Sequence, residues 1–142
     1  MKKASWILLT VLGVLIMLAG LVSTARALRT SDDYNVGASS VSKVAAGDPG
    51  VATALRAQRG TAAAFAAAYG VLFLAVVLGP YKRGDVWAWK ALLAAGLTLL
   101  VLVGLRLPIL GTQFGVAPAV IQAVILIVGL LLDVGRLKGT PQ

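Results

Sequence analysis

Histidine, cysteine and glutamate are absent from this 142-residue chain, and its five acidic residues are all aspartates: Asp32, Asp33, Asp48, Asp85 and Asp133. Each absence removes a class of chemistry. Zinc, copper and iron–sulfur centres are built on Cys, His or clustered carboxylates, so neither a metal site nor any other cofactor is expected. Haem ligation by His or Cys, thiol redox chemistry and His-based triads are excluded with them. Acid–base catalysis would fall to Asp, Lys, Tyr or Arg alone, and the expectation is a protein that is not an enzyme. With no cysteine, disulfide usage says nothing about compartment.

Charge is scarce as well. Only 13% of residues are charged and 59% are hydrophobic, against about 25% charged in an ordinary soluble domain. Together with a mean hydropathy of +0.93, this places the chain in the membrane class. The formal charge of +8 would suggest nucleic acid in a soluble protein. Here the basic residues stand at the ends of apolar runs, where they snorkel and meet anionic headgroups. The expected partners are therefore the lipid bilayer and its anionic headgroups, with no nucleic acid.

The apolar runs predict an all-α fold, a polytopic membrane protein with a four-transmembrane-helix bundle forming a single membrane domain over residues 1–142. The spans are expected at about 4–24, 60–79, 86–106 and 117–134, with an external segment at 25–59. For the first span the competing reading is a cleaved signal peptide, because Ala25, Arg26 and Ala27 fit an A-x-A site. The apolar run at 5–22 exceeds a signal-peptide core and favours an uncleaved anchor.

Within the external segment, Ser39 or Ser40 can cap a short helix that Gly47 would close. Asp48 followed by Pro49 reads as a fresh helix start, with the carboxylate capping and proline in the first turn. Nothing interrupts the pattern until Gly79 and Pro80, so an overlong second helix of about 45 Å is expected. Its first turns, with Arg56, Gln58 and Arg59, should stand outside the roughly 30 Å hydrocarbon core. Asp85 is placed to cap the third helix, which should stop before Pro108, and Pro118 and Gly135 bracket the fourth.

Small residues recur along the second helix. Gly60, Ala64 and Ala68, and likewise Ala63 and Ala67, lie four apart and permit close helix approach. Packing within the monomer is one reading, and a face for a homo-oligomer or membrane-complex partner is the other. Phe65, Tyr69 and Phe73 form a stripe suited to lipid or core packing. Tyr81, Trp87 and Trp89 read as interfacial aromatics.

Orientation rests on the basic residues. Lys2, Lys3, Lys82, Arg83, Lys90, Arg136 and Lys138 sit in short segments on one side; Arg26, Arg29, Lys43, Arg56, Arg59 and Arg106 lie on the other, mostly spread through the long loop. Trp6, Trp87, Trp89 and Tyr81 also fall on the first side. Both termini are therefore expected in the cytoplasm.

The stretch Gly79, Pro80, Tyr81, Lys82, Arg83, Gly84, Asp85, Val86, Trp87, Ala88, Trp89 resembles a feature of small bacterial four-helix membrane proteins of a loosely DoxX-like kind. Arg59 with Gly60, and the Gly47, Asp48, Pro49 turn, fit the same resemblance, which covers about residues 47–135. It implies a multi-pass protein of the cell (inner) membrane. No activity and no catalytic residue come with it.

Polar groups within or beside apolar spans are where membrane function concentrates. Arg56, Arg59, Arg106 and Gln122, with Tyr69 and Thr98 deeper in, are the candidate residues for an anionic or lipid headgroup. The blander alternative is snorkelling by Arg106 and local hydrogen bonding by the others. Thr10 and Ser23 are expected to bond their own helix backbone, and Asp133 to pair with Arg136. The function expected is a non-enzymatic accessory, structural or lipophile-binding bundle. The alternative is a small-solute carrier or channel, lined by Tyr69, Thr98, Gln122 and Asp133. Four-helix drug exporters rely on a buried glutamate, and its absence here weighs against that alternative.

Overall fold

The computed structural model describes residues 2–29, 33–36, 38–105, 108–109 and 116–135. Helix α1 spans Lys2–Ala27; a two-residue strand pair follows, β1 at Asn35–Val36 and β2 at Ser39–Ser40. Helix α2 is Val41–Ala45, α3 is Pro49–Val76, α4 is Val86–Gly104 and α5 is Val116–Leu131. Three helical segments are long and apolar enough to cross a membrane: Ala4–Ala27, Pro49–Tyr81 and Val86–Gly104. Helix α5 is equally apolar, but its 16 residues give only about 24 Å of rise.

Local chemistry explains the boundaries. The carboxylate of Asp48 accepts from the Gly50 amide at 2.7 Å and the Val51 amide at 3.4 Å, so Asp48 caps α3 as its position suggests. Ser40 caps α2, its hydroxyl accepting from the Lys43 amide. That helix closes one residue earlier than expected: Ala46 takes the left-handed conformation at φ 46°, and Gly47 follows at φ 86°. The tiny antiparallel strand pair was not expected; it sets Asn35 opposite Ser40 and Val36 opposite Ser39.

Two departures occur around Pro80. Instead of stopping at Gly79, the helix continues from α3 through a π turn at Val77–Tyr81 that contains Pro80. Proline cannot donate to the preceding turn and its ring collides with the carbonyl four residues back. Widening the turn accommodates both defects without ending the helix. The break comes at Gly84, whose φ of 108° is open to glycine and strained for other residues. Asp85 does occupy the cap position of α4 but makes no capping hydrogen bond; its carboxylate lies 4.0 Å from Arg83 instead.

The chain divides into two compact units, one made of Met1–Val14 with Leu72–Gln142 and the other of Leu15–Val71. In the first, Leu9, Leu12, Phe73, Val77, Ala88, Leu92, Ala123, Leu126 and Leu130 are buried. Leu126 packs over Gly96 and Leu9 over Gly129, so bulky ends on one helix fill the space left by glycine on another. In the second unit the approach is closer. A methyl group built on Gly20 would lie 2.5 Å from the Ala67 amide nitrogen, and one on Gly70 would lie 2.7 Å from that of Met17. Helices α1 and α3 therefore meet backbone to backbone there, with Ala63 and Ala67 buried in the seam.

Ala64 and Ala68 are exposed, so the small residues that pack within the chain are Ala63, Ala67 and Gly70. Large apolar side chains are exposed on every long helix, including Leu21, Phe65, Leu72, Leu102 and Ile121; Phe65 is 72% exposed and Leu72 is 67% exposed. Such continuous apolar exposure is poorly matched to water and well matched to lipid.

Candidate functional site

Polar side chains gather in two places, one in each unit. The first is a buried knot around the π turn. Ser5 and Tyr81 are both 0% exposed. The Ser5 hydroxyl donates to the Gly129 carbonyl at 2.6 Å and meets the Tyr81 hydroxyl at 2.5 Å. Serine has one proton to give, so Tyr81 must donate to Ser5. The Trp89 indole N–H donates to the adjacent Leu130 carbonyl at 3.1 Å. Ser5 of α1 and Trp89 of α4 thus both reach α5 carbonyls, and Tyr81 of the π turn joins them through Ser5. Asp133, 3% exposed, lies just beyond the end of α5 in the same unit. Beside the knot, the Lys82 ammonium stands 4.7 Å from the centre of the Trp6 ring, a cation–π contact.

Tyr81 is therefore wholly buried and Trp89 half-buried, each with its polar atom bonded within the protein. Keeping the helix going through Pro80 carries Tyr81 round to a buried face. Trp87, 58% exposed, remains on the surface.

The second cluster belongs to the other unit and is built on the first turns of α3. Arg56 and Arg59 are three residues apart and so share a face of the helix. The Arg59 guanidinium lies 4.0 Å from the centre of the Tyr34 ring, and its Nε donates to the Ser23 hydroxyl at 3.5 Å. Tyr34 is held by its backbone: its carbonyl accepts from the Val41 amide at 2.9 Å. Next to it, Asp33 accepts from the Ser42 hydroxyl at 2.6 Å and the Ser42 amide at 3.0 Å. Those two bonds hold its carboxyl below the usual carboxylate range, with a smaller contribution from Arg56. Among the described residues, neither the buried Nε of Arg56 nor the buried hydroxyl of Tyr34 finds a hydrogen-bond partner.

The chain matches no protein-family model, no curated protein and no solved structure. Its chemistry is read from its own residues.

Of the candidate headgroup residues, Arg56 and Arg59 come together in the second cluster, while Arg106 lies outside the described residues. Tyr69, in the same unit as the arginines, is half-buried on α3. Gln122 is half-buried on α5, and Thr98 is exposed on α4 with its hydroxyl donated back to the Ala94 carbonyl at 2.9 Å. Gly60 sits against Ala27 with room for a methyl group, at 3.5 Å. Thr10 bonds back to the Trp6 carbonyl as expected, whereas Ser23 serves Arg59 instead of its own helix. The partner expected for Asp133, Arg136, lies outside the described residues.

Sequence reasoning missed Ser5, Tyr34 and the internal hydrogen bonds of Tyr81 and Trp89. For Ser5 a signal existed: a hydroxyl one residue before a long apolar run must find a partner on its own helix or another. Nothing local pointed to Tyr34.

One apolar feature completes the inventory. A shallow dent of about 10 Å³ lies between α4 and α5, lined by Leu93, Gly96, Leu97, Leu100, Ala123, Leu126 and Ile127. Its walls present only hydrocarbon, so it offers a polar solute nothing and at this depth takes no more than about a methyl group.

Proposed function

We propose that the chain is a non-enzymatic membrane bundle that holds lipid or another lipophile against its surface, as an accessory or structural protein of a bacterial cell membrane. The observation that carries this reading is the series of large apolar side chains exposed along every long helix, with the shallow apolar dent between α4 and α5 among them. Several hydroxyls of the long helices are committed elsewhere. Thr10, Thr24 and Thr98 bond carbonyls of their own helices, and Ser5 and Tyr81 bond each other. Most of the large side chains these helices present outward are hydrocarbon.

In this reading the chain crosses four times, with both termini cytoplasmic and residues 25–59 external. The basic residues of the short connections support the orientation. Helix α5 would be the shortest span, and local thinning of the bilayer or snorkelling at its ends can accommodate it. Ala64 and Ala68, exposed on α3, remain available to a second copy or another membrane protein.

Two measurements test the reading. The chain has no cysteine, so single cysteines report topology without background. Ser42→Cys should react with a membrane-impermeant maleimide in intact cells, and Lys138→Cys only after permeabilisation. Labelling of both from outside, or the reverse pattern, would overturn the topology. A phospholipid with a photoactivatable acyl chain should label α4 and α5 around Leu97 and Ile127 more heavily than the exposed face of α3. Uniform labelling would reduce the dent to ordinary solvation by lipid.

A further inference from the structure

The arginine cluster at the start of α3 is assembled for an acceptor that the described residues do not supply. Two guanidinium groups lie one helical turn apart on one face. Arg59 is fixed from two sides, by the Tyr34 ring at 4.0 Å and the Ser23 hydroxyl at 3.5 Å. Arg56 has a buried Nε–H and Tyr34 a buried hydroxyl, both without a hydrogen-bond partner among the described residues. One carboxylate within electrostatic reach of Arg56, Asp33, already accepts two hydrogen bonds from Ser42. Among the described residues it forms no ion pair with Arg56, although it feels that charge. Arg26, exposed on the last turn of α1 three residues after Ser23, adds further positive charge.

We propose that Arg56, Arg59 and Tyr34 form a binding notch for a phosphate ester. Guanidinium pairs match phosphate oxygens two at a time, and the fixed Arg59 supplies a preorganised fork. The Tyr34 hydroxyl adds a neutral donor, and the Arg56 Nε–H gains the acceptor it lacks. The same chemistry accepts the headgroup of an anionic phospholipid or a small soluble phosphoester. The lipid case rests on the membrane reading above; the anion chemistry does not.

The test uses the full chain purified in a zwitterionic detergent, so it does not depend on topology. Short-chain phosphatidylglycerol and glycerol phosphate are titrated separately, with binding followed by isothermal calorimetry. Wild type should bind at least one of them. Arg56→Gln should weaken that binding about tenfold or more, and Tyr34→Phe by a few-fold. Arg56→Lys keeps the charge but loses the fork, and should fall between wild type and Arg56→Gln. Lys82→Gln, at the other basic cluster, should bind as wild type does. Binding of the lipid with no response to glycerol phosphate identifies a headgroup site; equal binding of both identifies a soluble phosphoester. No binding of either overturns the proposal. So does binding that survives in Arg56→Gln, or binding lost equally in Lys82→Gln. Helical circular dichroism of each variant separates lost binding from lost folding, and Arg56→Lys carries the test if Arg56→Gln does not fold. The maleimide topology measurement stands apart, so failure of the membrane reading and failure of the notch are distinguishable.

Discussion

The two compact units hold their helices together in different ways. In the unit containing the π turn, side-chain hydrogen bonds tie the helices: Tyr81 to Ser5, and Ser5 and Trp89 to the α5 carbonyls of Gly129 and Leu130. In the other, α1 and α3 approach until backbone meets backbone at Gly20 and Gly70. Its polar groups collect at the end of the seam, and two of them, on Arg56 and Tyr34, lack partners among the described residues. Both are known solutions to helix association where no hydrophobic force operates between spans. The difference lies in what each leaves over. A knot that uses its donors internally has little to offer a ligand, whereas a seam made of small residues leaves the polar groups at its end free for one.

The comparison predicts unequal responses to mutation. The largest should come from the close seam. Gly20→Val or Gly70→Val forces side-chain atoms into a neighbouring backbone and should cost about 3 kcal/mol in reversible unfolding from mixed micelles. Tolerance of either substitution would mean that the seam is looser than 2.5–2.7 Å implies. Next comes the knot. Ser5→Ala removes the hydrogen bonds to the Tyr81 hydroxyl and the Gly129 carbonyl and should cost about 2 kcal/mol. Combined with Tyr81→Phe the losses should be less than additive, because the two side chains share one bond. Additive losses would show that the bond contributes nothing.

The effect on stability should be smaller at the arginine cluster. Tyr34→Phe removes a buried hydroxyl with no partner among the described residues, so in lipid-free micelles it should cost no stability and add up to about 1 kcal/mol. A loss as large as that of Ser5→Ala would erase the contrast between the units. Smallest of all is a local response to acid. Asp33 is held below the usual carboxylate range by Ser42, so its contribution is complete above that range and fades as pH falls through the lowered value. The Ser42 amide resonance should follow that titration, and Asp33→Asn should abolish it. A shift at or above the ordinary carboxylate range would mean that the bonds to Ser42 do not persist in solution.

Much of the fold can be read from residue order. Asp48 and Pro49 start α3 where the capping pattern puts them, and Ser40 caps α2. Such signals act over one helical turn, so sequence suffices. Pro80 is the instructive failure: proline is a reliable breaker of an α-helix, but a π turn absorbs it when packing favours continuation. That outcome depends on what Tyr81 finds on the far side. Of the site, the pairing of Arg56 with Arg59 follows from helical spacing. The arrival of Tyr34 beneath Arg59 depends on a two-residue strand pair and a backbone bond to Val41, neither of which leaves a local mark.

Composition and order by themselves determine that this protein is helical, strongly apolar and without the residues for thiol or histidine chemistry or for haem ligation by His or Cys. They do so because periodicity, capping and side-chain inventory are local or additive properties. Only the tertiary structure decides which small residues form the seam, which aromatics are interior and which polar groups are left seeking a partner. Those outcomes turn on contacts between residues as far apart in sequence as Ser5 and Gly129, and no local pattern carries that information.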